Sequence, residues 1–502
     1  MVKSFLSLRS LSHGNMKTTK LIPYSGVDEI GGVKILVSTD ETSIFLDFGK
    51  PMSRWKKYYD FPYLMPKSIS QLIAFNIIPG EDDNLRGLYT VKHDVENYGI
   101  EKEPETCIEA VFISHMHLDH FGHVPLLNRK IKVYAGRVTY LLCQAYKLHS
   151  QKISVENDLD HLDTKHENFK VFRYGDKIKV GDLEVTPIPV DHSIPGAYAF
   201  LIDTGEHRIV YTGDIRWHGP ANFLTTNFVK KASEFEPDLM LCDATRFDKA
   251  DLNTEEDVRR RMLTVARECR GVLVTSLSPV DIDRVNTVCK IADEAGRTVV
   301  MDMSMASKIA RLHGLGIRNY PNLSRIFVLK PSKLYRRWQK LFMKHLTGEE
   351  ITARNGLEEA EEKLGKLFAG AIEIDEIAEK PHEFALATTP YSLKELSELS
   401  HRIGYSTSGG VYIASISEPF EEEMEIKFER VKNWIESLGL AYYHIHSSGH
   451  AHPFDIAKMI SEIKPKTVSP VHSMHSTVFQ KFINRYANVK LLKCGVEHCI
   501  GK

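Results

Sequence analysis

The stretch Ser114-His115-Met116-His117-Leu118-Asp119-His120 places three imidazoles and a carboxylate within six residues. The apolar run Ala110-Val111-Phe112-Ile113 precedes it, which predicts a strand that feeds a tight turn. Neutral imidazole and carboxylate are the groups that bind Zn²⁺ in proteins, and four of them in this order are seldom ordinary core residues. The stretch therefore predicts two adjacent metal sites, with His115 and His117 facing one ion and Asp119 and His120 facing the other.

Similar side chains follow other apolar runs along the chain. His192 comes just after the run 185–190, Asp214 follows Ile209-Val210, and His472 follows Thr467-Val468. Each candidate ligand thus lies where a strand stops and a loop begins. At that position a sheet holds a functional group rigidly and leaves it accessible.

The composition limits the class of protein. A chain of 502 residues, 42% hydrophobic and 26% charged, predicts a globular protein of two or three domains. The net charge of −1 excludes a global attraction to nucleic acid, so a polyanionic substrate would need a local groove and the metals themselves. No apolar run reaches about 18 residues, so we expect no transmembrane helix and no membrane partner.

The seven cysteines lack the spacing of a disulfide framework, which predicts reduced thiols in a cytoplasmic protein. Cys494 and Cys499 are interpreted either as a small metal clip or as a strand end with a buried thiol. The first 27 residues contain no acidic residue, and they are either a targeting segment or a basic, disordered lead-in.

Apolar periodicity predicts an α/β chain in two parts. The first half predicts a sandwich of sheets with helices, with strands at 34–37, 43–46, 111–114, 197–202, 208–212 and 239–242 and a helix at 138–148. From residue 246 strands and helices alternate, which predicts parallel α/β units, with strands at 272–274, 298–301 and 441–445 and helices at 280–295, 305–312 and 421–438. A further helix is predicted to begin at Pro453.

The charged segment 330–385 is predicted to be mostly helical. It contains a basic run without acidic residues, interleaved with aromatic side chains: Lys330, Lys333, Tyr335, Arg336, Arg337, Trp338, Lys340, Phe342 and Lys344. A solvated helix face and a nucleic-acid groove both remain open, because cations neutralise phosphates and aromatic rings stack on bases.

The motifs together resemble a known family. Asp47, the stretch His115–His120, His192 and Asp214 are similar to the four motifs of the metallo-β-lactamase fold. Three further segments resemble the motifs of its β-CASP branch, namely Cys242-Asp243-Ala244-Thr245-Arg246, Ser448-Gly449-His450-Ala451 and Pro470-Val471-His472. Over nearly its whole length the chain resembles the ribonuclease J-like nucleases.

This resemblance implies the architecture. We expect an αββα sandwich formed by residues 1–245 and 446–502, with a β-CASP α/β domain inserted at 246–445. Two segments depart from the family pattern, Asp302-Met303-Ser304-Met305 and Ala414-Ser415-Ile416-Ser417-Glu418-Pro419. Both segments line the nucleic-acid side of the family's fold.

The resemblance also implies a ligand set. His115, His117 and His192 would hold one zinc ion, Asp119, His120 and His472 a second, and Asp214 would bridge both. Mn²⁺ is an alternative cofactor, because imidazole and oxygen ligands do not exclude it.

Other residues receive roles by the same resemblance. The predicted catalytic residues are Asp119, His450 and Asp243, and the predicted substrate-binding residues are Ser304, Ser447, Ser448, Gly449, His450 and Ala451. Asp47 and Asp243 are interpreted either as carboxylates that orient ligand imidazoles or as simple turn residues. Arg284 is either a phosphate contact or a surface residue.

The implied function is a zinc-dependent ribonuclease of RNA processing or decay that uses a two-metal mechanism. We expect a 5′→3′ exonuclease acting on single-stranded RNA, with endonuclease activity and a homodimer left open. His472 favours RNA, because DNA-processing members of the branch carry Val at this motif. The alternatives are a β-CASP DNA nuclease, a small-molecule metallohydrolase, disfavoured by the long insertion, and a silent scaffold subunit, disfavoured by the complete ligand set.

Overall fold

Three seven-stranded sheets organise the computed structural model of this protein. The structure describes residues 18–60, 63–90, 103–147, 168–247, 252–317, 319–330, 365–389, 393–403, 409–417 and 422–500. Two of the sheets form one unit of the fold, and the third forms another.

The first sheet begins with antiparallel neighbours and continues with parallel ones. Its strands are β1 (Lys20–Ser25), β2 (Lys34–Ser38), β3 (Ser43–Leu46), β4 (Ala110–Ile113), β5 (Lys132–Gly136) and β6 (Phe169–Phe172), in that spatial order. The short strand His498–Cys499 pairs with the outer edge of β1.

The second sheet brings together strands from both ends of the chain. In chain order its strands are β7 (Ile178–Val180), β8 (Leu183–Pro189), β9 (Tyr198–Asp203), β10 (Arg208–Tyr211) and β11 (Leu239–Asp243), followed much later by Thr467–Val471 and Asn488–Val489. The strand Thr467–Val471 pairs in parallel with β11. This pairing places His472 and Asp243 at the same edge of the sheet.

These two sheets pack face to face. Side chains alternate in direction along each strand, so each sheet directs one set of apolar side chains toward the other sheet. In β4, Ala110 and Phe112 face the second sheet, where the Phe112 ring lies 5.7 Å edge-on from Phe200, whereas Val111 and Ile113 face the helices. Helices cover the outer faces of both sheets. On the first sheet these are α1 (Met52–Lys56), α2 (Ile69–Ala74), α3 (Leu118–Phe121) and α4 (Arg137–Lys147), and on the second α5 (Asn222–Phe235) with the later helices Pro453–Ile463 and Ser476–Ile483.

The third sheet is entirely parallel and has helices on both faces. Its strands are β12 (Leu273–Ser276), β13 (Thr298–Met301), β14 (Phe327–Leu329), β15 (Gly370–Ile372), β16 (Phe384–Thr388), β17 (Val411–Ala414) and β18 (Ala441–His444). The strands Thr467–Val471, Asn488–Val489 and His498–Cys499 of the first two sheets are then β19, β20 and β21. The remaining helices are α6 (Glu255–Glu268), α7 (Ile282–Glu294), α8 (Met303–Gly314), α9 (Ile374–Glu379), α10 (Leu393–Arg402), α11 (Glu422–Ser437), α12 (Pro453–Ile463) and α13 (Ser476–Ile483), with short 3₁₀ turns at Val124–Leu126, Leu323–Arg325 and Pro381–Glu383.

The predicted fold class is confirmed, and the predicted elements differ from the observed ones by only a few residues at their ends. The 330–385 segment is predicted to be mostly helical, and within its described part, residues 365–385, helical turns at 365–367, α9 and Pro381–Glu383 are joined by β15 and the start of β16. β16 is fully buried between its two parallel neighbours β12 and β13. The basic run from residue 333 to 344 lies outside the described residues, and the domain boundaries stay a prediction.

Two further expectations concern cysteines and membranes. All seven cysteines are free thiols, as predicted. Within the described ranges, no helix has the length and hydropathy that a bilayer crossing requires.

Candidate metal centre

The predicted ligands meet at one edge of the sandwich, where several strands end. His115 and His117 follow β4, Asp214 follows β10, and His472 follows β19. The turn after β4 runs directly into α3, whose second and third residues are Asp119 and His120. Neighbouring strands therefore bring residues from distant parts of the chain within a few ångströms of one another.

The first group consists of His115, His117, His192 and Asp214. His117 Nδ1 lies 2.9 Å from His115 Nε2 and 3.1 Å from His192 Nε2. Asp214 Oδ2 lies 3.5 Å from His115 Nε2 and 3.7 Å from His192 Nε2. Four ligand atoms placed tetrahedrally at about 2.0–2.1 Å from a zinc ion are separated by about 3.3 Å, so this spacing suits one ion.

The second group consists of Asp119, His120 and His472. His472 Nε2 lies 3.0 Å from Asp119 Oδ2, and His120 Nε2 lies 3.1 Å from Asp214 Oδ1. Asp214 therefore directs Oδ2 toward the first group and Oδ1 toward the second. A carboxylate in this position can bridge two ions.

Two atoms of this centre lack ordinary partners. His120 Nε2 and Asp214 Oδ1 are buried 3.1 Å apart, and neither forms a hydrogen bond of acceptable geometry within the described part of the chain. A buried polar atom left unsatisfied costs about 1–3 kcal/mol. A cation between these atoms would remove that cost, so the residues fit a metal.

Outer hydrogen bonds fix the tautomers of the ligand imidazoles. The Nδ1–H groups of His120 and His192 donate to Asp47 Oδ2 at 2.7 Å and to the Gly449 carbonyl at 2.6 Å. Nδ1 of His115 and of His472 contact the hydroxyls of Ser114 and Thr245, which already donate to carboxylates and so can only accept. In all four rings the lone pair is thereby left on Nε2, which is the pattern of metal-binding histidines.

Electrostatics favour the neutral form in two of these rings, whereas Asp214 and Asp47 outweigh burial at His120 and raise its pKa well above the usual value. Burial and the neighbouring imidazoles lower the pKa of His115 and of His192 well below the usual value. Burial alone would raise the pKa of Asp214, but the surrounding histidines, led by His120 and His472, lower it well below its usual range. Neutral imidazoles beside ionised carboxylates are what a metal site requires.

The backbone is strained at this centre. Asp47 and His472 have φ angles of 56° and 59°, a left-handed conformation that costs a residue other than glycine about 1–3 kcal/mol. Asp47 accepts hydrogen bonds from Ser114 N, Ser114 Oγ and Tyr211 Oη in addition to His120, which outweighs this cost. Gly49 lies so close to Asp119 that a Cβ atom there would be 1.7 Å from the Asp119 carbonyl oxygen.

His450 and Asp243 form a pair beside the ligands. His450 Nδ1–H donates to Asp243 Oδ2 at 2.8 Å, and His450 Nε2 lies 3.9 Å from Asp214 Oδ2. Burial lowers the pKa of His450, but the carboxylates of Asp243 and Asp214 outweigh burial and raise it to about 9. The His450 side chain is 19% exposed, whereas that of Asp214 is 3% exposed, so a substrate can reach His450.

The predicted substrate-binding turn makes more internal contacts than expected. The Ser447 hydroxyl donates to the Asn253 carbonyl, and the Ser448 hydroxyl accepts from the His450 N–H. Ala451 is buried, and its N–H donates to the Ile215 carbonyl at 2.7 Å, so this N–H is not free for an anion. Ser304 lies in the first turn of α8, and within the described ranges no hydrogen bond links it to the centre.

The sequence analysis missed a buried ion-pair network next to this turn. Arg216 donates to Asp191 Oδ1 at 3.0 Å, to Glu255 Oε1 at 3.3 Å and to Asp283 Oδ2 at 2.6 Å. Glu255 also accepts two bonds from Arg284, at 2.8 and 2.9 Å. The network connects the loop of His192 to the helices α6 and α7 of the third sheet.

Arg284 is therefore not a surface residue. Its side chain is completely buried, and its remaining contacts are Ser415 and His446. The sequence analysis interprets Arg284 as a surface residue or as a phosphate contact. Neither interpretation included the carboxylate partner that the structure shows on another helix.

Comparisons with known proteins agree with this architecture. Residues 96–273 match the family described as the β-lactamase superfamily domain. The chain is 23% identical over 505 residues to a ribonuclease J of Mycoplasma pneumoniae, an alignment that covers 95% of this chain and 71% of that protein. The chain has a metallo-β-lactamase fold of the ribonuclease J type.

Two more comparisons extend this result. The ribonuclease J of Methanocaldococcus jannaschii is 23% identical over 470 residues, which cover 90% of this chain and 91% of that relative. A solved structure of a protein of unknown function from Enterococcus faecalis superimposes with a TM-score of 0.70 at 22% identity, and the match covers 96% of this chain and all of that one. At this identity the structural likeness concerns the fold alone.

Proposed function

We propose that this protein is a ribonuclease that hydrolyses phosphodiester bonds of single-stranded RNA with two zinc ions. The observation that carries the proposal is the position of Asp214, whose two carboxylate oxygens face two separate groups of ligands. Similarity to relatives named ribonuclease J over almost the entire chain supports RNA as the substrate.

Seven residues would hold the ions. His115, His117 and His192 would hold one ion, Asp119, His120 and His472 would hold the other, and Asp214 would contact both. When bound, two divalent cations supply a strong nucleophile from water at neutral pH and offset the charge that develops on the phosphate. Mn²⁺ is the alternative cofactor, because the same donor set accepts it.

The chain's own groups then orient and protonate the substrate. Asp243 holds His450 Nδ1–H, so His450 Nε2 is the atom directed at the centre. That atom is placed to contact the scissile phosphate and to transfer a proton to the leaving oxygen, a contribution of about 10²–10⁴-fold in rate. Asp119, which is partly exposed at the centre, is placed to orient the attacking water.

The mode of cleavage follows the expectation from the resemblance, a 5′→3′ exonuclease. Ser447, Ser448 and Gly449 would then lie beside the 5′ end of the RNA, with the Ser448 and Gly449 carbonyls holding His218 and His192 in place. Of the predicted substrate-binding set, Ser304 and Ala451 are the least supported, because Ser304 has no described hydrogen bond to the centre and the Ala451 N–H is occupied.

The test compares RNA and DNA of one sequence, each labelled at the 3′ end and carrying a 5′-monophosphate or a 5′-hydroxyl. The proposal predicts that the 3′-labelled strand of 5′-monophosphorylated RNA is shortened stepwise from its 5′ end. His117→Asn should abolish this activity, whereas His382→Asn, which removes an exposed imidazole, should retain it. Internal fragments that do not depend on the 5′ group would establish an endonuclease, and cleavage of DNA alone would refute RNA as the substrate.

A further inference from the structure

We propose that His218, His452 and Asp455 form a third zinc site, separate from the centre around Asp214. One ligand atom from each of these residues lies within 4.8 Å of the others. None of the three belongs to the ligand set of the metallo-β-lactamase motifs. His218 lies in the loop after β10, and the other two residues lie at the start of α12.

The contacts of His218 are those of a metal-binding histidine. Its Nε2–H donates to the Ser448 carbonyl at 3.0 Å, and this bond fixes the lone pair on Nδ1. Nδ1 is buried and has no hydrogen-bond partner in the described part of the chain. A ligand histidine usually donates its other N–H to a carbonyl or carboxylate in this way.

Burial keeps this imidazole in the form that binds a metal. It lowers the pKa of His218 to about 4, against the weaker opposite effect of the Ser448 hydrogen bond. The ring is therefore neutral at physiological pH. A neutral, buried nitrogen without a hydrogen is suited to a cation.

The first turn of α12 supplies the other two ligands. His452 is the N-cap residue, and its Nε2 lies 3.2 Å from Asp455 Oδ2. The His452 ring lies nearly parallel to that of His218, at an angle of 13° and with 5.7 Å between the ring centroids. Metal binding at His452 Nε2 would move the ring proton to Nδ1, which gives up only the long 3.4 Å cap bond from the Asp455 N–H.

Two imidazoles and one carboxylate are a zinc-binding set that leaves a fourth position for water. An ion here would link the loop that follows Asp214 to the helix that follows His450. Because Ser448 is bonded to His218, the same ion would hold the Ser447–Ala451 turn beside the central site. The expected effect of the third zinc ion is therefore on metal content and on the thermal stability of the chain.

The experiment measures zinc per chain after the protein has been saturated with zinc and desalted. The wild type should retain about three equivalents, and His452→Asn and Asp455→Asn about two each, with a lower melting temperature in zinc. Asn remains a good N-cap residue, so His452→Asn should fold. His382→Asn should retain about three equivalents, because it removes an exposed imidazole elsewhere.

The outcome also separates this site from the central one. If His117→Asn lowers zinc content and a further His452→Asn lowers it by one more equivalent, the third site is supported whatever the central site does. If His452→Asn and Asp455→Asn retain as much zinc as the wild type, and zinc stabilises them equally, the proposal is overturned. The cluster is then only a histidine–aspartate pair at a helix start.

Discussion

The substitution Asp47→Asn tests how the outer residues prepare the centre. Asp47 Oδ2 accepts from His120 Nδ1 at 2.7 Å, from Ser114 Oγ at 2.7 Å and from Tyr211 Oη at 2.6 Å, and Oδ1 accepts from Ser114 N at 2.7 Å. All four partners are donors. An asparagine fills the same volume but has only one accepting atom.

The size of the effect follows from this count. If the amide oxygen takes the position of Oδ2, the amide NH₂ faces the Ser114 N–H, and one buried donor loses its partner at a cost of about 1–3 kcal/mol in folding free energy. The bond to His120 Nδ1–H also loses its charge, and hydrogen bonds to ionised acceptors are about twice as strong as neutral ones. Removing such a support of a metal-ligand histidine lowers metal affinity by about 10–100-fold, or about 1.4–2.7 kcal/mol.

The assay is competition between the metal-free protein and a chromogenic chelator for zinc, with circular dichroism to confirm folding. Asp83→Asn serves as the control, because Asp83 is exposed and distant in sequence from every ligand. An Asp47→Asn protein that is folded and binds zinc as tightly as the Asp83→Asn control would refute the role assigned to Asp47.

Three other substitutions should separate the parts of the site. Glu255→Gln removes the carboxylate shared by the buried guanidinium groups of Arg216 and Arg284. It should lower the free energy of unfolding, measured by urea titration, by about 3–5 kcal/mol. A loss below about 0.5 kcal/mol would contradict the role assigned to this network. His450→Gln should keep the zinc content of the wild type but slow single-turnover cleavage of RNA by about 10²–10⁴-fold, and a rate within a few-fold of the wild type would exclude proton transfer. Gly49→Ala places Cβ 1.7 Å from the Asp119 carbonyl oxygen, so zinc content and melting temperature should both fall, and unchanged values would show that the loop can move aside.

The convergence of the candidate ligands could be predicted because their positions depend on strand ends. A strand at 111–114 followed by alternating histidines already directs His115 and His117 to one side of the turn, and the observed strand Ala110–Ile113 differs by one residue. The structure brings every predicted ligand to the same edge. The resemblance to the metallo-β-lactamase motifs supplied the pairing between distant segments.

The parts that were missed depend on contacts between distant residues. Arg216 meets Asp191, Glu255 and Asp283, which are 25, 39 and 67 positions away in sequence, and no local pattern records such contacts. The Ala451 N–H is likewise occupied by Ile215 from another loop. Local spacing predicts which groups a turn contains, but it does not predict which of them the fold has already used.

The most direct test of the central claim is a zinc titration of the metal-free protein, followed by the rate of cleavage of single-stranded RNA. The account predicts no cleavage without metal and a rise in activity that requires both positions beside Asp214 to be filled, so Asp214→Ala should stay inactive at every zinc concentration. Full activity of the metal-free protein, or of Asp214→Ala, would contradict the account.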